Sequence, residues 1–186
     1  MTSPSALSVL ATPGRIASTV LAGLAIEAAM IWRFGWRSPL AAYSLLAATA
    51  AAFSATDLAV RRVPNLIMWP AYAGSGILLV FASESSGLWW PLARAGIAAA
   101  ALGGFYLALG FAFPAGMGLG DVKWSVVLGA YLGWLTWSAV ITGTFIAFFA
   151  AAVVLVAMRA AARRQSSLPM IPFMTLGAVA AVLATK

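Results

Sequence analysis

Thirty-five consecutive residues, 124–158, carry no charged side chain, and neither do the twenty-six residues 95–120 or the nineteen residues 38–56. Uncharged runs of this length set the fold class, because a helix of about 20 apolar residues spans a bilayer core roughly 30 Å thick. The 124–158 run is too long for one span and divides near Gly133 to Trp137. The rest of the chain has the same character, with 63% hydrophobic and 8% charged residues over 186 positions and a mean hydropathy of +1.00. Soluble domains typically carry about 25% charged residues. The sequence therefore reads as an all-α, polytopic membrane helix bundle, with 16–186 as a single membrane domain behind a flexible N-terminus over 1–15.

Seven spans are predicted. The first runs from Ile16 to Trp32 and the second from Ser38 to Asp57. The third, Leu66 to Phe81, holds Pro70 about one turn in, where it is placed to kink the helix, and Gly74 and Gly76 allow close packing. Ser83 to Ser86 is expected as a polar turn around Glu84. The fourth span starts at Trp89-Trp90-Pro91 or at Arg94 and ends near Phe113, with the tryptophans placed as an interfacial anchor. Pro114 to Gly120 is a glycine-rich break. The fifth and sixth spans share the long uncharged run, and the seventh is Leu168 to Thr185, entered through Pro169 and Pro172. Glu27 interrupts the first apolar run and no clear small-residue cleavage site follows, which argues against a cleavable signal peptide.

Charge orients the spans. With a cytoplasmic N-terminus, the inside loops hold Arg15, Arg61, Arg62, Lys123, Arg159, Arg163 and Arg164, against Arg33, Arg37, Arg94 and Lys186 outside. That excess favours N-in and C-out and sets the ends of the second span and of the 114–120 break at the cytoplasmic face. The net charge of +7 does not imply nucleic acid, since the basic residues stand singly or in pairs at helix ends.

The chain has no Cys and no His, which excludes disulfides, thiolate nucleophiles, Ser-His and Cys-His catalysis and a histidine metal centre. Four acids remain, Glu27, Asp57, Glu84 and Asp121. A carboxylate near membrane depth costs several kcal/mol unless compensated, and is a functional-site candidate by default. Asp121 follows Gly118-Leu119-Gly120 and precedes Val122-Lys123; Asp57 ends an uncharged run and precedes Arg61-Arg62-Val63-Pro64-Asn65. Without Cβ atoms, Gly118 and Gly120 are free to adopt φ > 0 and to admit another backbone, such as that of a peptide substrate. Two carboxyl groups sharing a site do not both ionise easily, so one takes a proton from water while the other, protonated, polarises a carbonyl. The bland alternative is that each acid caps or pairs at a helix end, Asp57 with Arg61 at i+4.

Other residues weigh towards scaffold. Lys123, two residues after Asp121, points nearly the opposite way on a helix and reads as an interfacial anchor. Pro64 forces Val63 out of helical geometry and ends the second helix, and Asn65 then reads as the N-cap of the third. Glu27 reads as a structural acid within reach of Arg33.

Asp57 with Arg61-Arg62-Val63-Pro64-Asn65, then Gly118-Leu119-Gly120-Asp121-Val122-Lys123, then Ile171-Pro172-Phe173, in that order, resembles the type IV prepilin peptidases, which are GxGD-type intramembrane aspartyl proteases. The resemblance covers about residues 38–186. It implies a six-helix core over 38–186, to which residues 16–34 add an extra N-terminal helix. It also implies a compact form without the methyltransferase-associated region, similar to the enzymes serving tight-adherence (Flp-type) pili. Asp57 and Asp121 are then the catalytic pair, with Gly118, Gly120, Lys123, Pro64, Asn65, Pro172 and Phe173 as substrate-binding or motif support. The family pattern often has Pro-Phe-Gly-Pro where this chain has Pro-Phe-Met-Thr. The implied activity is removal of a basic leader from a prepilin with a following apolar helix, at the cytoplasmic face of a bacterial inner membrane. No metal or organic cofactor is implied; the partners are the prepilin, membrane lipid and the pilus assembly machinery, with no nucleic acid. Two other readings use the same residues. A small transporter or ion pathway needs a polar route, whereas the spans offer mostly Ala, Leu, Val and aromatics. A catalytically silent pilus assembly factor keeps the motifs without the reaction.

Overall fold

The computed structural model describes residues 12–61, 65–113, 117–161 and 168–185. Among them are seven helices and no strand: α1 Pro13–Phe34, α2 Pro39–Val60, α3 Asn65–Ser86, α4 Trp90–Ala112, α5 Leu119–Leu135, α6 Trp137–Ala160 and α7 Ile171–Ala184. Five of these, α1 to α4 and α6, are long and apolar enough to cross a membrane, and the protein is a multi-pass, all-α membrane protein. The fifth and seventh expected spans are shorter, 17 residues in α5 and 14 in α7. At 1.5 Å per residue they rise only about 26 and 21 Å.

Local chemistry sets the helix ends. Prolines open α1, α2 and α7, at positions where the missing N–H would have no intrahelical partner. Opening at Pro13 draws Pro13–Arg15, expected in the flexible lead-in, into α1; the remainder of that lead-in, up to residue 11, lies outside the described residues. The expected turn at Ser83 to Ser86 is instead the last turn of α3. Its serines satisfy themselves along the helix, Ser85 and Ser86 donating to the carbonyls of Ala82 and Ser83 at 3.0 Å. The chain turns one residue later, at Gly87, whose φ of 68° suits glycine. Between α5 and α6 the break falls where the long uncharged run was divided, at Thr136, whose hydroxyl accepts from the Ala139 N–H at 3.0 Å.

The chain forms two compact units, Met1–Leu92 and Ala93–Lys186. In the first, α1 packs on α2 and α2 on α3. Its core includes Met30, Tyr43, Leu46, Ala50 and Phe53, with the Phe34 ring 4.3 Å from that of Tyr43. Glu27 finds its partner here. The Ser44 hydroxyl on α2 donates to Glu27 Oε1 at 2.7 Å, a bond from helix to helix where the sequence had suggested Arg33. The Arg33 guanidinium lies over the Phe34 ring, 5.0 Å from its centroid.

Small residues build the second unit. A Cβ on Gly129 would lie 2.6 Å from the Ala98 carbonyl oxygen and 2.8 Å from Ala99 Cα, and one on Gly133 would meet Ala98 Cβ and lie 3.1 Å from the Arg94 carbonyl. One on Gly103 would lie 2.5 Å from Val126 Cγ2. Backbone approach of this kind is how membrane helices associate without a hydrophobic driving force between them. These pairings run in opposite directions along the chain, so α4 and α5 are antiparallel. Arg94 closes the far end of α5: its guanidinium donates to the carbonyls of Gly133 at 2.6 Å and Trp134 at 2.7 Å, and to that of Leu135. Helix α7 packs on α6 and α5. Gly143 and Gly177 meet there backbone to backbone, and a Cβ on Gly177 would lie 2.9 Å from the Ala147 nitrogen.

Candidate active site

Asp57 belongs to the first unit and Asp121 to the second. Each is buried, with 7% and 8% of its surface exposed.

Asp121 stands in the first turn of α5. Gly118 is the N-cap, with extended backbone at φ −92°, ψ 157°, and its N–H donates to Asp121 Oδ2 at 2.9 Å. The Asp121 N–H returns to the Gly118 carbonyl at 3.1 Å. A carboxylate at this position satisfies one of the orphan N–H groups of the helix start and stands at the positive end of the macrodipole. The expectation of φ > 0 in the glycine motif is not met. Gly118 is extended and Gly120 lies in the first helical turn, because a helix that starts just ahead of the acid needs an extended cap followed by helical residues. What the missing Cβ of Gly118 leaves is space on an exposed surface; a Cβ there would meet Asp121 Oδ2 only at 3.6 Å. Lys123, half-buried, is two residues further along the same helix.

Asp57 stands in the last turn of α2. That helix ends at Val60, and Arg61 takes the left-handed conformation, φ 52°, with its N–H donating to the Asp57 carbonyl at 3.0 Å. The stop is therefore set at Arg61, ahead of Pro64, which with Arg62 and Val63 lies outside the described residues. Asn65 is the first residue of α3 and not the residue before it. An open groove of about 410 Å³ between α1 and α2 is lined by Arg15, Ser18, Thr19, Ser54 and Leu58 among others, and Asp57 is not one of its walls.

Pro172 and Phe173 form the first turn of α7, where the Phe173 N–H donates to the Met170 carbonyl at 3.1 Å. Helices α5 and α6 are joined by the tight turn at Thr136, and Gly143 packs on Leu132. Gly143 also approaches Gly177 and Ala181, and Ala147 approaches Gly177, so α7 runs antiparallel to α6. The start of α7 is thereby brought to the same end of the unit as the start of α5, which carries Asp121.

One buried polar residue at that end was not singled out from the sequence. Tyr106 of α4 is 1% exposed and is close enough to Asp121 for the carboxylate's charge to act on its phenol. The signal was present, because Tyr106 is the only hydroxyl-bearing residue in the 95–120 run.

Comparison of the sequence with curated proteins and with solved structures gave no match. A profile of the type IV leader peptidase family does match, over residues 44–156, which include Asp57 and Asp121 and stop short of Pro172 and Phe173. The match spans more than half of the chain, and the protein belongs to the type IV leader peptidase family.

Proposed function

We propose that the protein is an aspartic endopeptidase that removes the basic leader from type IV prepilin-like substrates at the cytoplasmic face of a bacterial inner membrane, with Asp57 and Asp121 as its catalytic pair. The observation that carries the reading is a pair of buried carboxylates at helix ends, both inside the stretch that matches the leader peptidase family. A membrane-embedded chain without Cys or His has few other groups with which to activate water.

The helix ends divide the work. The first turn of α5 and the Gly118 N–H favour negative charge on Asp121, so Asp121 is the base and Asp57 holds the shared proton. Asp121 takes a proton from water as the hydroxyl bonds to the scissile carbonyl carbon, and Asp57 gives its proton to the carbonyl oxygen. Collapse of the tetrahedral intermediate breaks the C–N bond as the leaving amine takes up a proton from Asp121 and one diol hydroxyl returns its proton to Asp57, which leaves the carboxylic acid product and restores both acids to their starting states. Gly118, exposed and without a side chain, gives the substrate backbone access to the acid. Gly120, Lys123, Asn65, Pro64, Pro172 and Phe173 support the two acid-bearing helix ends and the start of α7. The N-in orientation, taken from Lys and Arg placement, sets both acids on the side where a prepilin leader resides.

Co-expression with the pilin of the same organism tests the reading, leader removal being followed by gel shift. The wild-type chain is expected to shorten the prepilin. Asp57→Asn and Asp121→Asn, at normal abundance, are each expected to abolish cleavage, since a unit sharing one proton fails when either member is lost. Substantial processing by either variant would rule out the pair.

A further inference from the structure

Tyr106 is a costly residue to bury in the last third of α4. A buried phenol needs a hydrogen-bond partner for its hydroxyl, and the surrounding run 95–120 offers no other hydroxyl, amide or charged side chain. Phenylalanine would fill the same volume without that requirement.

The packing of α4 on α5 explains the choice. The face of α4 that meets α5 is the stripe Ala95, Ala98, Ala99 and Gly103, and the partners on α5 descend from Gly133 through Gly129 to Val126. Extending the antiparallel register by one more turn sets Tyr106 opposite the first turn of α5, where Asp121 stands. The ring is fixed from the other side: it stacks on Phe148 of α6 at 5.6 Å and 29°, and meets Phe105 edge-on at 5.7 Å. The Asp121 carboxylate is near enough for its charge to bear on the phenol, which agrees with this placement. A carboxylate oxygen accepts more than one hydrogen bond, so the bond from the Gly118 N–H leaves room for a second donor.

We infer that Tyr106 is a positioning residue of the cleavage site, its hydroxyl donating to the Asp121 carboxylate and fixing both the direction and the negative charge of that group. The inference rests on the aspartyl reading above. Gly118 holds the acid from the helix start, and Tyr106 holds it from the neighbouring helix, at the end of a rigid aromatic stack.

Tyr106→Phe tests it, because the substitution keeps the stacked ring and removes only the donor. Purified wild type, Tyr106→Phe and Asp121→Asn are compared on one prepilin, recording kcat, KM and thermal stability in detergent. The expected result for Tyr106→Phe is a kcat lowered about tenfold or more, since small displacements of a catalytic group carry large rate penalties, with KM within about twofold and unchanged melting. Wild-type kcat would overturn the inference, leaving Tyr106 as packing. A loss of stability matching the loss of rate would overturn it too, as would a rise in KM alone, which marks a substrate contact. The Asp121→Asn arm keeps the two readings apart. If it is inactive while Tyr106→Phe is normal, only the tyrosine's role falls; if it cleaves, the aspartyl reading itself falls and Tyr106 positions nothing.

Discussion

The N–H of Gly118 donates to the Asp121 carboxylate at 2.9 Å, so the residue that opens α5 also holds the acid in its first turn. The glycine therefore has two separable properties, a backbone donor that any residue except proline would supply and an empty side-chain position that only glycine supplies.

Replacement of Gly118 by alanine separates them. Its backbone is already extended and the added methyl would make an ordinary contact, 3.6 Å from Asp121 Oδ2, so abundance and membrane insertion are expected to be normal. On the proposed reading the methyl stands in the path of the substrate backbone, and cleavage is expected to fall at least about tenfold, the equivalent of about 1.4 kcal/mol. Gly96→Ala, on an exposed part of α4 with nothing within 4 Å, serves as the control and is expected to cleave normally. The measurement is the time course of leader removal at matched protein levels.

Glu27 is expected to be a fastener between helices, with no part in the reaction. Ser44→Ala removes the donor to Glu27 and is expected to weaken the α1–α2 pair by about 0.6 kcal/mol, a typical value for interhelical hydrogen bonds in membranes. Glu27→Gln keeps a carbonyl acceptor and should be milder. Both variants are expected to cleave prepilin at the wild-type rate, which a coupled leader-removal and thermal-shift assay would show. A dead Glu27→Gln enzyme would make Glu27 a third working carboxyl.

Arg94 closes α5 through three carbonyls, a job that needs the planar fork of a guanidinium. Arg94→Ala is expected to cost about 1.5–3 kcal/mol, as for hydrogen bonds to a charged group, and to lower the melting temperature in detergent. Arg94→Lys, a single point charge, is expected to recover only part of the loss. Full recovery by lysine would mean that charge alone matters.

Reporter fusions test the orientation. Fusions after Arg62 and after Arg164 are expected to read as cytoplasmic, and those after Ser86 and Lys186 as external. An external signal after Arg62 would invert the arrangement and move both acids to the opposite face.

The fold class, the number of helices and the break at Thr136 were legible because hydropathy and chain length constrain them directly. Helix ends were less so: Ser83 to Ser86 looked like a loop by composition, yet Ser85 and Ser86 turn their hydroxyls onto preceding carbonyls and the helix runs on to Ser86, the chain turning only at Gly87. Both acids could be picked out because a charge in an apolar run is conspicuous. Tyr106 stood out only as the one hydroxyl in its run; that it lies towards the Asp121 end of α5 depends on which helix faces which, and only the packed register of α4 on α5 reveals that. The partner of Glu27 was hidden for the same reason. Ser44 is 17 residues away in sequence, and local spacing pointed to Arg33.

The meeting of Gly143 and Gly177 has a further consequence. A side chain at Gly177 would run into the Gly143 carbonyl and the Ala147 backbone nitrogen, and backbone cannot step aside as a flexible side chain can. On the proposed reading, a survey that ranks positions by their intolerance to replacement will therefore place Gly177 beside Asp121, although one position lacks room and the other is assigned chemistry. Abundance and turnover must be scored separately to tell them apart: a substituted Gly177 is expected to reduce the number of enzyme molecules and leave the rate of each survivor intact, whereas Asp121→Asn keeps the molecules and silences them.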